Sequence, residues 1–160
     1  MFGTRILTLS TIALLLVGMA KASKATQNGT VDEAKALLNR VVAALKDNKT
    51  KALQDFNTGN DGFKDHDLYV LCANASDGII TASPNSNGMS LNDFPPGQNV
   101  MKTATESEVR ETTYWWPRPD SIKPLKKHTF YTKVGDQICG AGYWEGSTTT
   151  QQAAKINKQP

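Results

Sequence analysis

The sequence predicts an α+β domain in which one long amphipathic helix precedes a mainly antiparallel sheet. Two observations carry this prediction. Apolar residues recur with helical spacing early in the domain, at Val31, Ala34, Leu38, Val41 and Leu45. Beyond residue 67 the chain holds five short runs of β-branched, aromatic and other apolar residues, separated by Gly, Asn, Asp and Pro. A helix followed by a series of strands is typical of the α+β class.

The start of the long helix is marked by a capping box. Thr30 and Glu33 have the spacing at which each side chain satisfies a free amide at the helix end. The apolar stripe continues to about Asp47, and Asn48 is expected to break the helix there. A second, shorter helix is predicted from three apolar residues, Ala52, Leu53 and Phe56. Residues 57–62 then form a turn rich in Asn, Asp and Gly.

Five strands are predicted, over residues 68–73, 79–83, 110–116, 126–134 and 137–144. A tight loop joins the first two strands, and the last three form a meander. Between these groups lies a long polar connection, residues 85–98, followed by one or two helical turns within residues 100–107. Long connections inside a compact domain are usually functional. We therefore expect this excursion to fold over a binding site.

The N-terminus has the features of an export signal. Arg5 precedes an uncharged apolar run, residues 6–20, and Ala20-Lys21-Ala22 offers small residues at a cleavage site. Cleavage would make residues 1–22 a signal peptide, followed by a flexible leader, residues 23–29, and the domain itself, residues 30–144. Residues 145–160 are polar and are predicted to be a disordered tail. The alternatives are a retained inner-membrane anchor over residues 6–20 and a buried core helix.

Net charge excludes one class of partner. Removal of Arg5 and Lys21 with the signal would leave 16 basic and 15 acidic residues in the exported chain. A nearly neutral chain with its charges of mixed sign does not indicate binding to nucleic acid. The expected location is the periplasm or the medium. An oxidising compartment of that kind permits a disulfide between Cys72 and Cys139, and two buried thiols are the alternative.

The sequence offers no catalytic set. The two histidines, His66 and His128, are isolated in sequence, and neither cysteine lies near a histidine or a Gly-rich turn. No group of residues has the spacing of a known metal site, so no metal or cofactor is expected. Gly140 and Gly142 lie within a strand, where glycines permit close approach of neighbouring atoms. The chain is therefore interpreted as a binding module and not as an enzyme.

An ordered set of short motifs resembles a known family. The set comprises Asp67-Leu68-Tyr69-Val70, Asp77-Gly78 with Ser83-Pro84-Asn85, Tyr114-Trp115-Trp116-Pro117-Arg118-Pro119, Lys127-His128-Thr129-Phe130 and Cys139-Gly140-Ala141-Gly142-Tyr143. Together these motifs resemble the single Cache domain, type 2, in its stand-alone exported form. The resemblance covers roughly residues 31–144. It implies a PAS-like five-stranded sheet behind a long N-terminal helix, and extracytoplasmic binding of small molecules, often short organic acids, without catalysis.

The third strand supplies most of the candidate ligand-binding residues. Alternation places Thr112, Tyr114 and Trp116 on one face and Thr113 and Trp115 on the other. A hydroxyl from Tyr114 and an indole N–H from Trp116 suit a carboxylate. The remaining candidates are Lys127 as the opposing charge, Arg118 as a bidentate donor, and Tyr69 from the first strand.

These residues predict a periplasmic sensor or ligand-binding domain that takes a small organic acid and passes its signal through a partner. A membrane sensor kinase or a transporter would fill the partner's role. Two other classes stay open at this stage: a secreted structural or protein-interaction domain without a small ligand, and an enzyme.

Overall fold

The computed structural model describes residues 28–119 and 121–146, and it confirms the predicted α+β fold. The signal and anchor residues and the tail from residue 147 onward lie outside the described part. The elements are α1 (Val31–Thr58), β1 (Lys64–Asp65), β2 (Leu68–Asn74), β3 (Ile80–Ala82), α2 (Pro95–Thr103), β4 (Arg110–Pro117), β5 (Pro124–Val134) and β6 (Gln137–Trp144). Short 3-10 turns occupy Asn60–Gly62 and Leu91–Asp93.

Helix α1 has the predicted start and the predicted break. The Thr30 hydroxyl accepts from the Glu33 amide, and the Thr30 amide donates to the Glu33 carboxylate at 2.8 Å. Asn48 leaves the helical region, with φ −150° and ψ 93°. Its side-chain oxygen accepts from the Lys51 amide at 3.0 Å, so Asn48 caps the segment that follows. The two predicted helices therefore form one kinked element.

The sheet contains the five predicted strands and one short addition. Its order is β1-β2-β6-β5-β4, and β3 also pairs with β2. Every pairing between these strands is antiparallel. The addition is β1, a two-residue strand that pairs with the start of β2. Strand β3 is shorter than predicted, because Ile79 forms an isolated bridge with Ser90 in place of a ladder with β2.

The second helix begins earlier than predicted. Sequence analysis placed helical turns within residues 100–107 and left residues 94–97 in a loop, whereas α2 spans Pro95–Thr103. Pro95 and Pro96 occupy the first turn, where amides have no acceptor within the helix, so proline loses nothing there. Gly97 packs against the preceding 3-10 turn; a Cβ on it would lie 2.0 Å from the Leu91 carbonyl oxygen.

The sheet has two differently covered faces. On one, the α1 face, the buried side of α1 packs against β2, β6 and β5, with Val41, Phe56, Val70, Phe130 and Ala141 in the core. The other, the cavity face, is covered by residues 83–104, which we call the overlying segment. Its Leu91 and Val100 are buried with residues of the sheet, Ile80, Tyr131 and Ile138.

Cys72 and Cys139 form a disulfide in the structure. They are direct partners in the ladder between β2 and β6, with Cα atoms 4.1 Å apart. Both side chains are fully buried in the core below α1. The sequence analysis left the disulfide and two buried thiols as alternatives, and the register shows why a bridge is geometrically accessible.

The first described residues are docked onto the domain. The Gly29 amide donates to Asp67 at 2.6 Å, and the Asn28 side-chain oxygen accepts from Arg118 at 2.8 Å. The leader was expected to stay flexible through residue 29, so its last two residues differ from that expectation. At the other end Glu145 forms an ion pair with Lys126 at 2.9 Å. No helix in the described part is both long and apolar enough to cross a membrane.

Candidate functional site

A cavity lies between the cavity face of the sheet and the overlying segment. Its volume is about 70 Å³, and one water needs only ~10–15 Å³. The space therefore suits a ligand of a few non-hydrogen atoms. Apolar walls come from the strands and from the overlying segment alike, and include Leu71, Ile80, Met89, Leu91, Val100 and Ile138.

One wall of the cavity is charged. Lys127 on β5 lines the cavity, although only 4% of its surface is exposed. Its Nζ donates to the Tyr69 hydroxyl at 2.8 Å and lies 4.0 Å from the Tyr69 ring centroid and 4.1 Å from that of Trp144. Aromatic faces attract a cation electrostatically. These rings hold the ammonium in place, but they do not supply a negative charge.

No carboxylate forms an ion pair with Lys127 among the described residues. Burial lowers the pKa of its ammonium to about 7, and the negative charge of Asp67 acts in the opposite direction. Near neutral pH the side chain therefore exists in both protonation states. An anion beside the ammonium would favour the charged state.

Two tyrosines add hydroxyl groups beside Lys127. Burial raises the pKa of Tyr69, and the charges of Tyr114 and Asp67 act in the same direction. Burial also raises the pKa of Tyr114, against a hydrogen bond with Thr129. Both phenols therefore stay protonated. Because Tyr69 accepts from Lys127, its own proton is left for another acceptor.

Aromatic rings close the cavity at the end where β4 leaves the sheet. The rings of Trp116 and Phe94 lie 5.8 Å apart, so the strand and the first residue before α2 meet over the cavity. Tyr114 contacts Trp116 edge-on at 6.1 Å. The indole N–H of Trp144 donates to the Trp116 carbonyl at 3.0 Å, which fixes the backbone of β4 at this point.

The structure brings together four of the five residues selected from the sequence. Tyr69, Tyr114, Trp116 and Lys127 all line the cavity, as does Thr112. Arg118 is not among the lining residues, and its guanidinium donates to Asn28 instead. The alternation along β4 holds, since Trp115 points away from the cavity and is 69% exposed.

Sequence analysis did not select Thr129 and Phe94, which line the cavity, or the buried acid Asp67, which is not among the lining residues. Thr129 lies two positions from Lys127 on β5, so period-two alternation would have placed it on the same face. Phe94 belongs to the long connection that was expected to cover a site, but no local signal selected it. Asp67 is buried two residues before Tyr69, and only the tertiary fold reveals its role.

The histidines lie outside the cavity lining. His128 is on the α1 face, with Nδ1 2.6 Å from a Glu111 oxygen and Nε2 3.0 Å from a Glu145 oxygen. His66 lies near the exposed Asp65 at 3.6 Å. In the described ranges, no three His, Cys, Asp or Glu side chains form a group that could hold a metal ion.

Comparisons with known proteins give fold likenesses. No protein-family model matches the chain, and no curated protein sequence matches it. One similar solved structure is described as the periplasmic sensor domain of a chemotaxis protein, with TM-score 0.48 and 18% identity over 71% of this chain and 89% of that one. A second comes from work on carboxylic acid recognition by a Cache chemosensory domain, with TM-score 0.48 and 14% identity over 71% and 87%.

Proposed function

We propose that this chain is an extracytoplasmic, non-catalytic binding domain for a short monocarboxylate, and that it passes occupancy of its cavity to a partner protein. The observation that carries the proposal is Lys127, a buried lysine in a cavity wall with no carboxylate paired to it in the described part of the chain. The fold alone would not assign this function, because one fold hosts many functions.

The energetics of a buried cation favour an anionic ligand. An ammonium that has lost its water is costly unless it is paired. A carboxylate entering the cavity would supply the missing charge at Lys127 and accept from the Tyr69 hydroxyl. The Tyr114 hydroxyl, 3.1 Å from that of Thr129, is a further donor on the same face. Binding thereby gives the Lys127 ammonium a hydrogen-bonded carboxylate at ion-pair distance, which Asp67 does not supply in the described part of the chain.

The rest of the cavity limits the size and charge of the ligand. About 70 Å³ accommodates a carboxylate and a short carbon chain. Among the described residues that line the cavity, Lys127 is the only cation, and apolar side chains such as Leu91, Val100 and Ile138 make up much of the rest. A second carboxylate would be desolvated there without a cation. Monocarboxylates such as acetate, propionate and pyruvate therefore fit better than dicarboxylates such as succinate.

A screen of small acids by thermal shift and calorimetry tests this function on the wild-type protein. Monocarboxylates should raise the melting temperature of the wild-type protein, because a ligand that binds the native state stabilises it. Succinate and the uncharged analogue acetamide should not. Lys127→Met should weaken binding of the best acid by at least about tenfold, a loss of roughly 1.4 kcal/mol.

Lys102 provides the matched control, because it is an exposed lysine in the last turn of α2. Lys102→Met should leave acid binding unchanged. Folded wild-type protein that responds to no monocarboxylate would contradict the proposal and favour a protein-interaction role. Equal acid affinities for wild type and Lys127→Met would also contradict it.

A further inference from the structure

Asp67 is a buried acid that the proposed ligand site does not use. It lies immediately before β2, two residues ahead of Tyr69, and 5% of its surface is exposed. Its Oδ1 accepts from the Gly29 amide at 2.6 Å. Within residues 28–119 and 121–146, its Oδ2 has no hydrogen-bond partner. Buried carboxylate oxygens normally find a donor, so this atom calls for an explanation.

Two cations act on Asp67, and they come from different places. Lys127 belongs to the cavity wall, and Arg118 belongs to the connection after β4. Burial raises the pKa of Asp67, whereas the amides of Gly29 and of Asp67 itself, and then the charges of Arg118 and Lys127, favour its ionised form. Burial thus favours the protonated carboxyl group, and the neighbouring amides and cations favour the carboxylate.

The same carboxyl group holds the N-terminal junction, which we define as Asn28 and Gly29. Asp67 accepts a hydrogen bond from Gly29, and Arg118 donates one to Asn28. The charge of Arg118 also favours the ionised form of Asp67, so the two residues that hold the junction interact with each other. Gly29 is tightly packed; a Cβ on it would lie 2.2 Å from Leu68 Cγ. Asn28 and Gly29 are the first residues that the structure describes, and these contacts hold them to the domain.

We propose that Asp67 is the internal counter-charge of Lys127 and couples occupancy of the cavity to the N-terminal junction. The coupling deepens the proposed function, since it names the route by which a bound acid is sensed. In the empty cavity, the Lys127 charge stabilises the ionised Asp67, which is a strong acceptor for the Gly29 amide. Below about pH 7, where Lys127 is largely charged before binding, a ligand carboxylate pairs with the ammonium and offsets its charge at Asp67, so the bond of Asp67 to Gly29 weakens.

The charged groups that face this pair from each side are few. Tyr69 and Tyr114 face Lys127 from β2 and β4, and Trp144 faces it from β6 with an uncharged ring. Arg118 acts on Asp67 from the β4–β5 connection. Within residues 28–119 and 121–146, Asp67 is the one acid whose charge acts on the pKa of Lys127, so removing that charge should lower this pKa.

The first test measures unfolding by urea across about pH 6 to about pH 10 in the ligand-free full chain. Asp67→Asn keeps an acceptor for Gly29 and removes the charge. Stability should begin to rise at the pH where Lys127 of the native protein loses its proton, which we call the onset. In Asp67→Asn, the onset should lie about one pH unit lower than in the wild type. The exposed Asp65→Asn is the matched control and should leave the onset unchanged.

The second test follows hydrogen exchange of the Gly29 amide in the wild type, in Lys127→Met and in Asp67→Asn. At about pH 6, where Lys127 is charged before the ligand binds, exchange should become several-fold faster in Lys127→Met, and also in wild type saturated with pyruvate. In Asp67→Asn, neither pyruvate nor Lys127→Met should alter it. The proposal would be overturned by an unshifted onset in Asp67→Asn. It would also be overturned if neither pyruvate nor Lys127→Met changed the exchange rate of the Gly29 amide.

The two proposals can fail separately. If the wild-type chain binds no acid but Asp67→Asn shifts the onset, the proposed function is overturned and Asp67 is supported as the counter-charge. Acid binding with an unshifted onset would support the function and overturn the counter-charge.

Discussion

Lys127 on β5 reaches across strand β6 to donate a hydrogen bond to Tyr69 on β2, at 2.8 Å. The lysine can cross because β6 carries glycine where its side chain passes. A Cβ on Gly142 would lie 3.0 Å from Lys127 Cε and 2.5 Å from the Thr129 hydroxyl. The position of the charge in the cavity thus depends on a residue that has no side chain.

Gly142→Ala should displace Lys127 and weaken acid binding. The new methyl group would also lie 2.5 Å from the His128 carbonyl oxygen, which belongs to the backbone and cannot move away freely. We expect a loss of stability of about 1–3 kcal/mol, as for other overpacked sites, and at least a tenfold loss of acid affinity by calorimetry.

Gly140 is the matched control for that change, since it lies on the same strand and lines the same cavity. A Cβ there would meet its nearest neighbours only at 3.0 and 3.1 Å. Gly140→Ala should therefore have the smaller effect. Equal effects of the two alanines on acid affinity would show that the passage of Lys127 over Gly142 is unimportant.

The ligand-free protein should become more stable as pH rises from about 7 toward about 10. Burial lowers the pKa of Lys127 to about 7 from 10.5, so in this window the unfolded chain binds one proton more than the native chain. Stability rises with pH wherever the unfolded state binds more protons, here by roughly 4 kcal/mol in total. Urea unfolding of Lys127→Met should lack this rise in stability. A rise of equal size in that variant would show that another titratable group causes it.

Loss of the disulfide should destabilise the domain without removing the cavity. Cys72 and Cys139 are separated by 67 residues, and closing a loop of that size in the unfolded chain corresponds to about 4 kcal/mol in the chain-entropy model. Replacing both cysteines with alanine should therefore lower the melting temperature. Intact mass of the wild-type protein, purified without reductant, should show the loss of two hydrogens relative to the reduced chain, and the absence of this loss would indicate free thiols.

Phe94 should limit the length of the ligand. Its ring meets Trp116 over the cavity, and it belongs to the overlying segment and not to the sheet. Phe94→Ala should raise the affinity for acids one or two carbons longer relative to propionate. Phe94→Leu should change that ratio less, and an unchanged preference in both variants would place the size limit at other residues.

Local patterns were sufficient to predict the parts of the fold that depend on near neighbours in sequence. The capping box of Thr30, the break at Asn48 and the faces of β4 follow from spacing alone, and the structure confirms them. Alternation likewise selected Tyr114 and Trp116 as neighbours in one wall.

Features that depend on distant residues were not predictable in this way. Arg118 turns toward Asn28, 90 residues away in sequence, so its strand-end position gave no indication of its partner. Asp67 is buried where Gly29, 38 residues away in sequence, donates a hydrogen bond to it. The early start of α2 was missed for a different, local reason, because Pro95 and Pro96 were assigned to a loop although proline is favoured in the first turn of a helix.

Proton uptake on binding tests the central claim most directly, because only an acid that pairs with Lys127 would charge it. Calorimetric titration of pyruvate at about pH 8, in two buffers of different ionisation enthalpy, gives the number of protons bound with each ligand. The wild-type chain should take up close to one proton per pyruvate, since Lys127 is mostly neutral before binding at that pH. Binding without proton uptake would contradict a carboxylate site built on Lys127.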